Sequence, residues 1–277
     1  MYSQLVLTTQ VRNGRTSLQK NFTSPPLKLI SLPSDANGML RVVQMSSSPG
    51  LLGGDLIEIS ITLAAYSHLS LYTQAFTRVL EMNDGKQAEQ HTHIRQEPHS
   101  HLCYLPHPLV LHANSTFIQY TEIELDDDCE LVYGEIIAAG RVLRGERFAF
   151  KRFSSHLCIT YHGHKLITDN IQWYPKRYQI DTIGQMEQYT HQLNLFYVHT
   201  ALSPEEIRVL NERIFEKLDE YTAEMNSLLW GVSQAAGCAL CLRALSTEAQ
   251  SLQNLLKVTV TILQQSQASP LSAVFFK

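Results

Sequence analysis

Six of the twelve histidines lie in one short stretch of the chain, at positions 91, 93, 99, 101, 107 and 112. Alternate side chains of a β-strand share a face, so His91 and His93 form one pair and His99 and His101 a second. Imidazole pairs bind borderline cations such as nickel and zinc. The same alternation of His with polar residues is also typical of solvated edge strands. We favour the solvated faces, because a closed metal site needs about four ligands in one shell.

Two further motifs resemble parts of known functional motifs, a redox or zinc CxxC pair and a phosphate-binding loop, but each lacks residues that such a motif needs. Cys238 and Cys241 have CxxC spacing, but no second CxxC and no βαβ pattern accompany them, so we interpret them as small buried apolar residues. The glycine-rich segment 48–55 lacks the Gly-Lys-Ser/Thr ending of a phosphate-binding loop. Its two adjacent glycines permit a tight turn, in which Asp55 can accept hydrogen bonds from the turn amides.

The segment from Gly140 to Phe148 places Arg141 and Glu146 directly after an apolar strand pattern. A guanidinium and a carboxylate at this spacing can pair across a turn and hold two strands in register. They can equally line a polar passage or contact a partner, and the spacing does not separate these alternatives. No nucleophile–base set and no zinc-protease motif is present in the sequence, which is evidence against an enzyme.

The elements that carry these residues are predominantly β-strands. Between Ile57 and Leu63 every second residue is Ile or Leu, a period of two that is typical of a strand. Turn residues separate similar runs as far as about residue 200. The pattern predicts a mainly β fold, a stacked or layered body of many short strands, and we expect antiparallel pairing. The similar runs are 5–7, 40–45, 68–73, 117–125, 131–137 and 157–161.

The period becomes helical near residue 203. Ser203, Pro204 and Glu206 form a capping-box start, and apolar residues then recur at helical spacing from Ile207 onwards. This pattern predicts an amphipathic helix over about 204–226.

A strand over about 228–243 and a second helix, capped by Ser246 and ended by Pro270, are predicted to follow. The C-terminal part therefore holds two α-helices. We expect a single domain over 1–277, with a β body over about 1–200 and a helix–strand–helix part over about 203–270.

Composition excludes several classes of function. The 277 residues include 22 Lys plus Arg and 26 Asp plus Glu, and a net charge of −4 gives no basic excess for binding nucleic acid. No apolar run approaches the ~20 residues that span a membrane. An odd number of cysteines, five, without an export signal predicts reduced thiols and a cytoplasmic protein.

Four spaced segments, taken together and in order, are similar to one known family. The chain resembles the urease accessory protein UreD family, also called UreH, over about residues 15–170. The segments are Ser48 to Asp55, Leu71 to Val79, Leu105 to Val110 and Gly140 to Phe148.

The resemblance implies a scaffold or metallochaperone without catalytic residues. Members of the family bind apo-urease together with UreF, which recruits the GTPase UreG that delivers nickel. The resemblance also implies a mostly β fold with an internal polar tunnel, no tightly bound cofactor, and nickel in transit.

Nickel in transit must bind weakly enough to leave, so water, carbonyl oxygens and scattered carboxylates suit a passage better than a Cys/His cage. Polar residues in or beside apolar strands are the passage or partner-contact candidates. These are Gly53, Gly54, Asp55, Gln74, Glu135, Arg141 and Glu146, with His91, His93, His99 and His101 as weaker metal candidates.

Two rival functions stay open at this point. A nickel- or zinc-dependent hydrolase would use the histidines between His91 and His112, and would hold tight metal through at least three protein ligands. A β-rich binding module for another complex is the second rival.

Overall fold

The computed structural model describes residues 1–33, 38–225 and 227–266. It confirms a mainly β fold with two helices in the C-terminal part. The elements are β1 (Tyr2–Arg12), β2 (Arg15–Thr23), β3 (Leu27–Leu32), β4 (Leu40–Ser46), β5 (Leu56–Leu63), β6 (His68–Gln74), β7 (Thr77–Val79), β8 (Ala88–Gln96), β9 (His101–Tyr104), β10 (Leu109–Leu111), β11 (Thr116–Leu125), β12 (Glu130–Ala138), β13 (Arg152–Tyr161), β14 (His164–Trp173), β15 (His191–His199), α1 (Pro204–Thr222), β16 (Leu228–Ala236), β17 (Ala239–Ser246) and α2 (Ala249–Ser266).

The strands form two stacked sheets. The first sheet has seven strands in the order β14-β13-β11-β8-β5-β1-β2. The second has ten, with the path β16-β17-β15-β12-β9-β6-β4-β3 and the short strands β7 and β10 beside β12. From β4 to β13 the longer strands alternate between the two sheets, so the chain winds as a flattened solenoid.

The prediction of antiparallel pairing is wrong for the centre of both sheets. β1, β5, β8, β11 and β13 pair in parallel, as do β4, β6, β9 and β12. Leu56 pairs with Glu89, and Ala88 with Phe117, so one coil takes roughly 30 residues, a length typical of stacked-repeat folds. Alternation of apolar and polar residues indicates only that one face of a strand is buried and the other is solvated. The strands of a solenoid have this pattern although they pair in parallel, so the pattern does not reveal strand direction.

The space between the sheets holds the larger apolar core. In β5 the inward residues are Ile57, Ile59, Ile61 and Leu63, and all four are buried. Each such side chain contributes about 1.5–3 kcal/mol when fully removed from water. The period-two pattern of this strand therefore places its apolar residues against the core as predicted.

The two helices cover the outer face of the second sheet and form a second core there. Ser203 Oγ accepts a hydrogen bond from Glu206 N at 3.3 Å, and Glu206 Oε2 accepts one from Ser203 N at 2.9 Å, which confirms the capping box. The apolar stripe of α1 buries Ile207, Leu210 and Ile214 against this face. The helix ends at Thr222, four residues before the predicted end.

The predicted strand over 228–243 is a hairpin. β16 and β17 pair in antiparallel fashion, and the turn between them contains Cys238. Cys238 and Cys241 are half-buried free thiols that pack against the core between the sheets. They are therefore apolar packing residues, as interpreted, but only partly buried.

The second helix begins later than predicted. Ser246 is the last residue of β17, where its hydroxyl accepts a hydrogen bond from Glu248 N at 3.1 Å, and α2 starts at Ala249. The predicted stop at Pro270 lies outside the described residues. Neither helix in the described part of the chain is long and apolar enough to cross a membrane.

Candidate functional site

A row of polar side chains crosses the inner face of the second sheet, where the core is otherwise apolar. Strand register places Gln44 beside Thr73, Glu135 beside Asn194, and Asn194 beside Arg243. We call these five residues the polar stripe. The stripe runs from the buried Gln44 to Arg243 at the exposed end.

The opposite sheet contributes hydrogen-bond donors to the middle of the polar stripe. Gln119 Nε2 donates to both carboxylate oxygens of Glu135 at 3.1 Å, and it also lies 2.8 Å from Ser155 Oγ. The hydroxyl of Tyr133 donates to Glu135 Oε1. Glu135 is thus held between the sheets by neutral donors.

The surroundings of Glu135 change its acidity. The pKa of this carboxyl is raised from 4.5 to about 6, because removal from bulk water raises it more than the hydrogen bonds from Tyr133 and Gln119 lower it. The negative charge of Asp169 contributes to this rise. At neutral pH the group is still mainly ionised, and an incoming cation would stabilise it.

A cavity of about 50 Å³ lies beside Glu135, between the sheets. It is large enough for a few water molecules, since one water needs at least about 10–15 Å³. Buried Gln119 and Tyr104 line its interior, whereas Thr77, Gln90 and His107 at its rim are half-buried. The cavity is therefore polar, small and reachable from one side.

His107 brings an imidazole to the rim of this cavity. Its backbone N–H donates to Thr73 Oγ1 at 2.8 Å, and its Nδ1 bonds the carbonyl oxygen of Thr73. Burial lowers the pKa of His107, so the ring is neutral at pH 7. Nδ1 therefore carries the proton, and Nε2 is left with its lone pair.

The far half of the polar stripe contains an unsatisfied amide. Asn194 is 2% exposed, and within the described part of the chain its Nδ2 has no hydrogen-bond partner. Beyond it, Arg243 Nη2 lies 2.5 Å from Asp169 Oδ1. Buried amides are normally satisfied by protein or water, so this position is suited to an ordered water.

Gly53, Gly54 and Asp55 lie away from the polar stripe, in the turn before β5. Asp55 Oδ2 accepts a hydrogen bond from Leu52 N at 2.8 Å, and Oδ1 lies 2.9 Å from the amino group of Met1. Gly54 has φ +93°, and a Cβ on Gly53 would lie 2.6 Å from Lys86 Cβ. These residues shape the turn, and a passage role for them stays a prediction.

The side chain of Gln74 points away from the cavity. It is exposed at the end of β6, next to buried Thr73, which faces inward. A one-residue step along a strand reverses the direction of the side chain. The polar residue that reaches the interior at this point is therefore Thr73.

Arg141 and Glu146 pair across the short 3₁₀ turn Val142–Arg144. Arg141 Nε donates to Glu146 Oε2 at 2.8 Å, and Nη2 bonds Oε1. The second contact of the carboxylate is Ala113 N at 3.2 Å, so the pair fastens two loops, not two strands. These bonds lower the pKa of Glu146.

The turn between Arg141 and Glu146 borders a surface groove of about 860 Å³. Leu143 at the tip of the turn is fully exposed, and Phe76 across the groove is 42% exposed. Cationic side chains also line the groove, among them Arg78, Arg141 and Arg144. An exposed apolar pair among polar groups is typical of a protein-interaction surface.

His91 and His93 lie as predicted on one face of β8, where both are about half exposed. His91 contacts Glu89, and His93 contacts Glu124, each at 3.3 Å. Their surroundings are those of a solvated outer sheet face.

The second predicted pair does not share a strand. His99 lies in a turn with φ +59°, and β9 begins only at His101. The proline at position 98 interrupts the strand pattern there. His99 bonds Asp128, and His101 bonds the buried Glu130, both at 2.8 Å.

The six histidines do not form one metal centre. His107 lies at the cavity, whereas His112 lines the groove beside Arg141. Among the described residues, three candidate ligand atoms lie within 4.8 Å of one another only at Asp126, Asp127 and His162. The geometry that a hydrolase would need from the stretch between His91 and His112 is therefore not present in the described chain.

Sequence reasoning identified Glu135 but missed its neighbours. Gln119 occupies an inward position in an alternating strand, between inward Phe117 and Thr121. That position could have identified Gln119 as a site residue. A polar side chain among the inward-facing apolar residues of a strand needs a hydrogen-bond partner inside the protein. Gln44, Thr73 and Asn194 have the same signature, but their convergence depends on register.

Comparison with known proteins gives a consistent result. The family model described as UreD urease accessory protein matches residues 2–273. A urease accessory protein UreD from Actinobacillus pleuropneumoniae serotype 5b (strain L20) is 48% identical over 260 residues, covering 92% of this chain and 94% of that protein. One from Haemophilus influenzae (strain PittGG) is 48% identical over 265 residues, covering 92% and 96%. The chain therefore belongs to the UreD family of urease accessory proteins, non-catalytic factors that associate with the urease maturation machinery.

Proposed function

We propose that this chain is a cytoplasmic scaffold for nickel insertion into urease. It binds apo-urease together with UreF, UreF recruits the GTPase UreG, and nickel passes along the polar stripe between the two sheets. The chain holds no tightly bound cofactor, and nickel is its cargo.

The observation that carries the proposal is the ionised carboxylate of Glu135 inside a polar cavity. Its hydrogen-bond partners are the neutral groups of Tyr133 and Gln119, and no cationic side chain is among its hydrogen-bond partners in the described part of the chain. A partly buried charge held by neutral donors is costly, and a divalent ion would offset that cost. Family membership supplies the biological context for such an ion.

The remaining groups of the polar stripe suit transit better than storage. Amide, hydroxyl and water oxygens are weak ligands for nickel, and His107 adds one imidazole near the rim. No cysteine is among the residues that line the cavity in the described part of the chain, so no thiolate there competes for the ion. An ion that meets one carboxylate and mostly neutral oxygens can bind and still be released.

The groove beside Arg141 is the surface that we propose for partner contact. Leu143 and Phe76 expose apolar area there, and an accessory protein that assembles with others must bury such area in the complex. The groove and the cavity lie on opposite sides of β7 and β10, since Arg78 and Val110 line the groove while Thr77 and Leu109 line the cavity. A partner in the groove would therefore rest against the wall of the cavity.

The test is nickel-dependent activation of apo-urease by this chain with UreF, UreG and GTP. Glu135→Gln keeps the size of the side chain and removes the charge, and we expect activation to fall at least about ten-fold. Glu135→Leu also removes the oxygens, and should reduce activation further. Co-purification with UreF and apo-urease should be unchanged in both variants, because Glu135 lies inside the fold.

The matched control is Glu122→Gln, which makes the same change on the exposed outer face of β11. Normal activation by both Glu135 variants would overturn the passage. Full activation in the absence of this chain would overturn the scaffold role itself.

A further inference from the structure

The groove beside Arg141 is rich in positive charge, although the chain as a whole has a net charge of −4. Its lining contains the guanidinium groups of Arg78, Arg141 and Arg144. In the described part of the chain, Glu248 is the only carboxylate among the lining residues. Positive charge is thus concentrated at this one surface of a negatively charged chain.

Two of these arginines have no counter-charge. Arg141 is bonded to Glu146, as described above, whereas Arg78 and Arg144 form no ion pair with any residue that the structure describes. Both side chains are exposed to solvent. A guanidinium in this position can form charge-assisted hydrogen bonds to a carboxylate of another molecule.

The arginines act on a common point in the groove. His112 lines the groove, and burial is the main cause that lowers the pKa of its imidazole. The positive charges of the three arginines contribute to this lowering, whereas Glu146 opposes it. The positive field of the groove therefore comes from several elements that converge, not from one scattered side chain.

The apolar part of the groove is held in a fixed shape. Leu143 lies at the tip of the turn, where Arg144 N donates to Arg141 O at 2.8 Å and Gly145 N donates to Val142 O at 2.9 Å. A leucine that is presented on a fixed turn loses little conformational freedom when a partner covers it. Leu143 is therefore suited to anchor a partner.

The floor of the groove offers no free strand edge among the described residues. Strand β10 pairs with β12 on one side and with β7 on the other. The far side of β7 is also bonded, since Leu51 N donates to Arg78 O at 2.8 Å and Leu80 N donates to Leu51 O at 2.9 Å. A partner cannot add a strand here and must be recognised through side chains, as an amphipathic helix in a groove is.

The occupant must satisfy the arginines and the apolar side chains together. A phosphate ion could pair with the arginines but would leave Leu143 and Phe76 in water. A segment with both carboxylates and apolar side chains matches the whole groove.

We propose that the groove receives an amphipathic helix of a partner protein, with its apolar stripe against Leu143 and its carboxylates against Arg78 and Arg144. The inference rests on the proposed function, which assigns partner contact to this groove, and adds the chemistry of the partner surface.

The first test uses a synthetic peptide with leucines along one face of a helix and glutamates along the other, and a twin with lysine in place of each glutamate. Fluorescence anisotropy measures binding of each labelled peptide to the purified full chain. We expect the glutamate peptide to bind at least about ten-fold more tightly, although the net charge of −4 favours the lysine peptide. Added NaCl should reduce the difference, because salt screens exposed charges.

The second test changes the groove. The double variant Arg78→Glu, Arg144→Glu should remove or reverse the peptide preference, and should weaken association with UreF or with apo-urease at least about ten-fold. Leu143→Asp should weaken binding of both peptides, because it removes the apolar anchor.

Matched control variants make the same changes elsewhere, and circular dichroism checks the fold of every variant. Arg12→Glu, Arg95→Glu reverses two exposed arginines of the first sheet, and Ile183→Asp alters a side chain that is 95% exposed in a loop outside the groove. Both controls should bind the peptides and the two proteins like the unaltered chain.

The outcomes separate this inference from the proposed function. Equal binding of the two peptides, or an unchanged preference in the double variant, would overturn the inference. Self-association of the unaltered chain that the double variant abolishes would assign the groove to a second copy, and would also overturn it.

Unchanged association of the double variant with UreF and with apo-urease, while activation still requires the chain, would overturn the inference and leave the scaffold role intact. Groove-dependent peptide binding by a chain that associates with neither protein would uphold the chemistry of the groove and overturn the proposed function.

Discussion

Strand β12 carries two interior glutamates with opposite kinds of neighbours. Glu130 faces the helices and is bonded to His101, a side chain that can carry positive charge. Glu135, an odd number of positions later, faces the other sheet and is bonded to the neutral Gln119 and Tyr133. The same strand thus holds one carboxylate with a potential counter-charge and one without.

The difference shows how one residue type can serve two purposes. A carboxylate with an imidazole beside it has a partner within the fold, so it can stabilise the structure. A carboxylate held only by neutral donors keeps its desolvation cost, and its pKa rises to about 6. An external cation would relieve that cost, so Glu135 is the better binding group and Glu130 the better structural group.

The largest effect on stability is expected from substitution of Glu130, and the same substitution of Glu135 is expected to have none. Glu130→Gln should lower the free energy of unfolding by about 2–3 kcal/mol, because it replaces charge-assisted hydrogen bonds to a buried group. Urea denaturation at pH 7 measures this change. Glu135→Gln is the matched variant, and should cause no loss. Equal losses in the two variants would contradict the contrast between them.

The pH dependence of stability sharpens the same comparison. The pKa of Glu135 is raised by folding, so between about pH 4.5 and 6 the folded chain holds a proton that the unfolded chain releases. Its contribution to the free energy of unfolding is present at low pH and falls by roughly 2 kcal/mol as pH rises through 6.

Urea denaturation of the unaltered chain and of Glu135→Gln across pH 4–7.5 isolates this contribution. The variant should gain relative stability as pH rises. A difference between the two proteins that stays constant over this range would show that Glu135 has an ordinary pKa.

The smallest effect on stability is expected at Glu146, a third carboxylate, whose partner is at the surface. Its pair with Arg141 is partly exposed, so Glu146→Ala should cost at most about 1 kcal/mol. We nevertheless expect loss of urease activation, because the pair shapes the turn that presents Leu143 at the groove. Thermal unfolding and the activation assay, run on the same preparation, test both statements. Normal activation would remove this turn from the partner surface.

Local spacing predicted several of the elements and the burial of their faces. The strand at Ile57 to Leu63 and the capping box at Ser203 follow from local spacing, which also allowed the pairing of Arg141 with Glu146 without deciding it. Each depends on residues a few positions apart, where periodicity and side-chain chemistry are decisive.

Properties that depend on register could not be predicted in this way. To predict these properties, one must know which residue lies opposite which in neighbouring strands. They include the parallel direction of the strands, the convergence of Gln44, Thr73 and Asn194, and the alignment of His101 with Glu130. In a solenoid that partner lies a whole coil away. No local pattern encodes the coil length, since the loops between strands set it.

The ends of the solenoid have a consequence for solubility and assembly. Stacked parallel coils expose backbone donors and acceptors at each end, where another chain could add a further strand. Here the chain reverses direction at these ends, with β2 and β14 bordering the first sheet and β3 and β16 bordering the second, each in antiparallel pairing. A further coil stacked in parallel would have to match the direction of the strand at the edge. Because the edge strands run in the reverse direction, they do not continue the parallel stack, and this limits growth into a fibre.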